Sequence, residues 1–137
     1  MNGELNTGRA GEKMKMLVVD DEPSVCDCIS MILSLEGHEV VTANSGREAL
    51  ALFVKGNYDL VFTDYSMPGM TGVQLATQIK SIAPDQPIMM ITGLAPVDTP
   101  KAVDMILNKP FQLDELRQAV DRLPIGKISR SKELSGT

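Results

Sequence analysis

Three acidic residues, a threonine and a lysine stand directly after apolar runs that are far apart in this sequence. If each run is a strand of one parallel sheet, all five residues arrive at the same edge of that sheet, where open α/β sheets bind their ligands. The elements between these residues must then bring the five side chains together. The residues are Asp20, Asp21, Asp64, Thr92 and Lys109.

Carboxylates that meet at one point repel one another, and each raises the pKa of the others unless a cation lies among them. Mg²⁺ suits such a site best, because it prefers oxygen ligands and binds through one or two carboxylates, water and phosphate oxygens. Lys109 adds a positive charge for a phosphate oxygen, and the Thr92 hydroxyl can donate to another. We therefore predict that Asp64 is a nucleophile that accepts a phosphoryl group, a reaction catalysed mostly by positioning and electrostatics.

Apolar runs and helical repeats alternate along the chain. Near-continuous apolar runs indicate strands buried on both faces, and Pro23, Ser45 with Glu48, and Thr71 with Gln74 mark the starts of helices. This order predicts a doubly wound α/β domain, in which right-handed crossovers place helices on both faces of a five-stranded parallel sheet. The predicted strands are 15–19, 38–43, 58–63, 88–91 and 103–107, and a final helix contains Leu113, Leu116, Val120 and Leu123.

The connection between the last two predicted strands is short. Nine residues, from Gly93 to Lys101, separate Thr92 from the start of the last strand's pattern, and Pro96 and Pro100 are among them. A parallel crossover with its helix generally needs about 10–12 residues or more. We therefore predict that the fourth helix is shortened to a single turn or missing.

Composition limits the remaining classes of function. A chain of 137 residues suits one domain, here 14–123, with 1–13 as a disordered leader and 124–137 as a polar tail or linker stub. The net charge of -5 opposes the phosphate contacts of nucleic-acid binders, so we expect no direct nucleic-acid binding. No apolar run reaches the roughly 18 residues of a membrane span, and the first residues lack a signal-peptide core. We expect a cytoplasmic protein without membrane contact.

With these features established, the chain resembles the receiver domain of response regulators, which act in two-component signalling. The resemblance extends from residue 14 to about 123, and the four motifs in this order are specific although each alone is weak. The matching motifs are 18–23 (VVDDEP), Asp64 with 67–72 (MPGMTG), Thr92 with Gly93, and 109–111 (KPF).

The resemblance implies a flavodoxin-like strand order 2-1-3-4-5 and a set of Mg²⁺ ligands. Asp64 is then the phosphoacceptor, and Asp21 and Asp64 bind Mg²⁺ directly. Asp20 acts mainly through a metal-bound water, and the backbone carbonyl of Ser66 is a further ligand.

The resemblance also implies partners for the reaction. Thr92 and Lys109 engage the phosphoryl oxygens, and the Lys109–Pro110 peptide bond is cis. The donor is a phosphohistidine on a sensor histidine kinase or a histidine phosphotransfer protein, and the signal passes to a downstream effector protein. A homodimer is a further option. The chain is then no enzyme in the usual sense, although it assists its own phosphotransfer and dephosphorylation.

One departure from the family pattern leaves an alternative open. The aromatic residue that usually stands three positions before the lysine is Ile106 here, and isoleucine cannot carry a ring hydroxyl between exposed and buried states. Because both this switch position and the fourth-helix region are altered, the alternative is a degenerate receiver that acts as a constitutive protein-interaction module. An aspartyl-phosphate hydrolase would need an acid at Ser66, and a flavin protein would need a phosphate-binding loop after the first strand.

Overall fold

Five parallel strands form one sheet in the order β2-β1-β3-β4-β5. The computed structural model describes residues 13–93 and 99–122. The predicted fold class and strand order are confirmed. The elements are β1 (Lys15–Val19), α1 (Pro23–Leu35), β2 (Glu39–Ala43), α2 (Gly46–Leu52), β3 (Leu60–Asp64), α3 (Gly72–Ile82), β4 (Ile88–Thr92), β5 (Met105–Asn108) and α4 (Leu113–Arg122).

Both faces of the sheet are covered by helices. Successive residues of a strand point to opposite faces, so Met16 and Val18 of β1 pack in one cluster and Leu17 and Val19 in the other. Helices α1 and α4 cover the first face, and α2 and α3 cover the second. All five residues of β3 and of β4 are buried, which explains why these strands read as continuous apolar runs.

Side-chain hydrogen bonds mark the starts of α2 and α3. Thr71 Oγ1 accepts from the Gln74 amide at 3.1 Å, and Gln74 Oε1 accepts from the Thr71 amide at 2.9 Å, which is a complete capping box. At α2, Ser45 Oγ accepts from the Glu48 amide at 3.0 Å. The Glu48 carboxylate, however, accepts from the amide of Asn44 rather than that of Ser45, at 2.7 Å.

The last strand begins two residues later than predicted, at Met105 instead of Val103. The Val103 amide donates to Pro100 O at 3.0 Å in a turn. Asp104 then uses its carboxylate to accept from the Ile88 amide at 2.8 Å and from Lys80 Nζ at 2.9 Å. A side chain therefore satisfies the first amide of β4, while the Asp104 amide donates to the Ile88 carbonyl at 2.8 Å just before β5 begins.

The prediction of a shortened or missing fourth helix is confirmed for the part of the chain that the structure describes. Those residues form four helices, and neither Gly93 nor 99–104, which lie between β4 and β5, is helical. The other residues of this connection, 94–98, lie outside the described residues, as do 1–12 of the predicted leader and the predicted tail at 124–137. None of the described helices is long and apolar enough to cross a membrane.

Candidate functional site

Four of the predicted site residues have side chains in close proximity at the carboxyl edge of the sheet. Carboxylate oxygens of Asp20, Asp21 and Asp64, here called the acidic cluster, lie within 4.8 Å of one another. Lys109 Nζ is 3.1 Å from Asp64 Oδ1 and 3.7 Å from Asp20 Oδ2. Residues from three different strand ends therefore meet at one point.

A glycine allows helix α3 to begin against the backbone of Asp64. The Gly72 amide donates to Tyr65 O at 3.0 Å. A Cβ atom at position 72 would collide with the carbonyl oxygen of Asp64. The preceding turn contains Gly69 at a φ of 83°, a conformation that glycine adopts without steric cost. The glycines of the 67–72 motif thus shape the loop that follows Asp64.

Asp20 is a buried acid in unfavourable surroundings. Its side chain is 2% exposed, and burial raises its pKa above the ordinary value of 3.8. The charge of Asp64 raises this pKa further, whereas the Glu22 amide, which donates to Asp20 Oδ1 at 2.9 Å, and the charge of Lys109 oppose the rise. The charge of Lys109 alone therefore does not offset the cost of a buried negative charge on Asp20.

Lys109 is the cation of the pocket. Burial alone would lower its pKa, but the hydrogen bond to Asp64 and the charges of Asp64, Asp20 and Glu22 outweigh burial, so the pKa is raised above 10.5. The lysine is therefore an ammonium at neutral pH and donates to the Asp64 carboxylate. The Lys109–Pro110 peptide bond is cis, as the resemblance implied.

Thr92 and Ser66 lie at the same edge. Thr92 is the last residue of β4 and is 1% exposed, and its carbonyl accepts from the Lys109 amide at 2.8 Å. In the β3–β4 pairing Asp64 is level with Ile91, so Thr92 lies one position beyond it. Ser66 is exposed in the turn that leaves β3. Their assignments to phosphoryl oxygens and to a metal remain predictions.

The acidic cluster fits a hard divalent cation. Among the described residues, Asp20 Oδ2 is the buried side-chain oxygen without a hydrogen-bond partner, and a buried oxygen of that kind is costly unless a ligand pairs with it. Lys109 is within ion-pair range of this atom but beyond hydrogen-bond range. Carboxylate oxygens are the ligands that Mg²⁺ and Ca²⁺ prefer, whereas other metals prefer thiolate or imidazole ligands.

Two residues without an assigned role in the sequence also contact this site. Asn44 Nδ2 donates to the Asp20 carbonyl at 3.1 Å, and Cys26 Sγ lies 3.5 Å from the same oxygen. Cys26 is buried. Burial is the largest cause that raises the pKa of its thiol to about 11, and the negative charge of Asp20 adds to the rise. Asn44 is 24 positions from its partner, so no local pattern indicates the contact.

The fold and this pocket define the class of the protein. It is a doubly wound α/β domain with an acidic cluster and a lysine at the carboxyl edge of the sheet, the edge where this class of sheet binds ligands. Ile106 is half-buried on β5, where its Cα pairs with that of Met90.

Comparisons with known proteins identify the family. The family model described as "Response regulator receiver domain" matches residues 16–121. The chain belongs to this family, the receiver domains of two-component response regulators.

Characterised relatives and solved structures agree. The chain is 35% identical to the transcriptional regulatory protein GlrR of Escherichia coli over 111 residues, which are 77% of this chain and 25% of that protein. It is 37% identical to the regulatory protein AtoC of Escherichia coli over 114 residues, 79% of this chain and 24% of that protein. The chain thus spans about a quarter of the length of these relatives.

Among solved structures, the crystal structure of the response regulator TrrA from Thermotoga maritima in complex with Mg²⁺-BeF has a TM-score of 0.74 and 38% identity, covering 80% of this chain and 97% of that one. The chemotaxis protein CheY4 of Vibrio cholerae has a TM-score of 0.75 and 32% identity, with coverages of 81% and 98%. No comparison supports the alternative of a degenerate receiver.

Proposed function

We propose that the chain accepts a phosphoryl group on Asp64 from a phosphohistidine, in a reaction that requires Mg²⁺. The observation that carries this proposal is the 3.1 Å contact between Lys109 Nζ and Asp64 Oδ1, beside two further carboxylates within 4.8 Å. An ammonium fixed on the accepting carboxylate offsets the charge that an incoming phosphoryl group brings.

The chain's own oxygens would hold the cation. Asp21 and Asp64 are direct ligands in this proposal, Asp20 acts through a bound water, and the Ser66 carbonyl supplies a further oxygen. When bound, Mg²⁺ neutralises charge on the acidic cluster and on the phosphoryl oxygens. TrrA was solved in complex with Mg²⁺-BeF; beryllofluoride is a tetrahedral stand-in for a phosphoryl group, and we propose that the same pair fits this pocket.

The transfer step is a displacement at phosphorus. A carboxylate oxygen of Asp64 forms a bond to phosphorus while the phosphorus–nitrogen bond of the donor breaks, and the electron pair returns to the imidazole. Asp64 thereby becomes an acyl phosphate, which water can later hydrolyse. Lys109 neutralises the group that arrives, and we assign the Thr92 hydroxyl as a donor to a phosphoryl oxygen.

The donor and the receiver of the signal are other proteins in this proposal. A sensor histidine kinase or a histidine phosphotransfer protein supplies the phosphohistidine, and a cytoplasmic effector protein reads the phosphorylated state. GlrR is a transcriptional regulatory protein several times the length of the match, so an output of that kind requires an attached or separate partner. A homodimer is one form in which the phosphorylated state can act.

Incubation with acetyl phosphate and MgCl₂, followed by intact-protein mass spectrometry, tests the proposal. We expect one added phosphoryl group on the wild-type protein, none in the presence of EDTA, and none on Asp64→Asn. Asp85→Asn, which removes an exposed acid outside the site, is the matched control and should be phosphorylated like the wild type. A folded protein that binds Mg²⁺ but gains no phosphoryl group would instead favour a constitutive interaction module.

A further inference from the structure

The peptide unit that joins Asp20 to Asp21 is anchored from outside the acidic cluster. Its carbonyl oxygen accepts from Asn44 Nδ2 at 3.1 Å, and the thiol of Cys26 lies 3.5 Å from the same oxygen. Asn44 Nδ2 is also 3.6 Å from Cys26 Sγ, so the amide and the thiol lie together on one side of this peptide. In the described part of the chain, neither side chain forms a hydrogen bond to a carboxylate oxygen of the acidic cluster.

Asn44 is itself held in place from the helix that follows it. Its backbone amide donates to Glu48 Oε1 at 2.7 Å, and Glu48 lies in the first turn of α2. The residue before it, Ala43, accepts from the Asp20 amide at 3.1 Å. Asp20 is the residue that follows β1, which ends at Val19. Its N–H is bound by Ala43 and its C=O by Asn44, at the end of β2.

Holding this carbonyl restrains the backbone between two of the acidic residues. The peptide that contains it is planar and links the Cα atoms of Asp20 and Asp21, so a fixed plane limits ψ of Asp20 and φ of Asp21, the two torsions on either side of it. The amide of Glu22 donates to Asp20 Oδ1 at 2.9 Å, which holds the Asp20 side chain. The Asn44 amide, together with the Cys26 thiol, holds the carbonyl of the same residue.

We propose that Asn44 is a positioning residue for the cation, because it orients the Asp20–Asp21 peptide so that both carboxylates face Asp64. The inference rests on the proposed Mg²⁺-dependent function. Groups that orient metal ligands without touching the metal typically change affinity about 10–100-fold when they are removed. Asn44 is exposed and holds backbone rather than a ligand atom, so we expect an effect at the low end, about 10-fold.

Asn44→Ala and Ser45→Ala form a matched pair for the test. Ser45→Ala removes the side-chain cap of α2 and leaves the bond to Asp20 intact, so it controls for damage to the start of that helix. Mg²⁺ is titrated into each protein while thermal stability and the rate of phosphorylation by acetyl phosphate are followed. The Glu22 amide resonance in ¹⁵N NMR spectra, recorded without metal, reports the geometry of the Asp20 loop directly.

We expect Asn44→Ala to raise the Mg²⁺ concentration at half-saturation about 10-fold, to leave the rate at saturating Mg²⁺ near that of the wild type, and to shift the Glu22 resonance. Ser45→Ala should lower the melting temperature without moving the Mg²⁺ midpoint. An unchanged midpoint in Asn44→Ala, or equal shifts in both variants, would overturn the positioning role and leave the proposed function intact. A wild-type protein without any Mg²⁺ response would overturn both.

Discussion

Replacement of Asp20 by asparagine should stabilise the metal-free protein. Asp20 is 2% exposed, and its carboxylate has two others within 4.8 Å. At that distance each pair of like charges repels by about 1 kcal/mol in water and about 3 kcal/mol at an effective dielectric constant near 20. Lys109 Nζ, at 3.7 Å, attracts Asp20 by a similar amount and cancels one of the two repulsions. The net penalty is about 1–2 kcal/mol.

Asparagine removes this penalty and retains an oxygen that can accept from the Glu22 amide. We expect the melting temperature of Asp20→Asn in EDTA at low ionic strength to rise by about 4–8 °C. The wild type should gain stability on addition of Mg²⁺, because a ligand that binds the native state and not the unfolded chain stabilises the native state. The variant should gain less. Asp85→Asn, an exposed site with the same change in net charge, should show neither effect.

The contribution of Asp20 to stability depends on pH. Because burial raises the folded pKa of Asp20 above 3.8, protonation stabilises the native state relative to the unfolded chain. The contribution of this group is therefore fully present below pH 3.8 and is lost as the pH rises through the folded pKa; asparagine removes that loss.

If Asp20→Asn melts at or below the wild-type temperature in EDTA, while Asp85→Asn is unchanged, the repulsion argument is wrong.

Three further predictions concern other parts of the fold. Gly72→Ala should lower the free energy of unfolding in urea by about 2 kcal/mol or more, because the added Cβ would meet backbone. Gly93→Ala should lower it far less, because no atom of the described residues lies within 4 Å of the position of an added Cβ. Equal losses in the two variants would contradict the steric argument. Burial lowers the pKa of His38 below 6.5, so the stability that this group contributes is present above pH 6.5 and is lost as the pH falls through the folded pKa. The melting temperatures at pH 7.5 and 5.5 should therefore differ less in His38→Asn than in the wild type. An unchanged difference between the two pH values would exclude His38 as the cause. Asp104→Ala should cost about 1–3 kcal/mol in urea unfolding, because it leaves the buried Ile88 amide without its acceptor; Asp104→Asn, which keeps an acceptor, should lose less.

The parts of the fold that depend on burial were predictable from the sequence. Strand β1 coincides with the predicted run at 15–19, because a strand covered on both faces is apolar throughout. The Thr71–Gln74 capping box was predictable for a similar reason, since its two residues lie within one helical turn. The carboxyl ends of the strands followed from these elements, and with them the meeting point of the acidic cluster and Lys109.

Features that depend on contacts between remote side chains were not predictable in the same way. The start of β5 was placed too early because Asp104, a charged residue, takes over a backbone hydrogen bond of β4. The partner of the Glu48 carboxylate shifted by one residue, from Ser45 to Asn44. The hydrogen bond from Asn44 to the Asp20 carbonyl joins the ends of β2 and β1. In the sequence Asn44 cannot be distinguished from any other polar residue at the end of a strand.

The hydrogen bond from the Lys109 amide to the Thr92 carbonyl couples two parts of the site mechanically. A shift of the Lys109 backbone would therefore pass directly to the tip of β4. At the other described end of the connection between β4 and β5, Asp104 is paired with Lys80 of α3 at 2.9 Å. Each described end of that connection is thus tied to a neighbouring element.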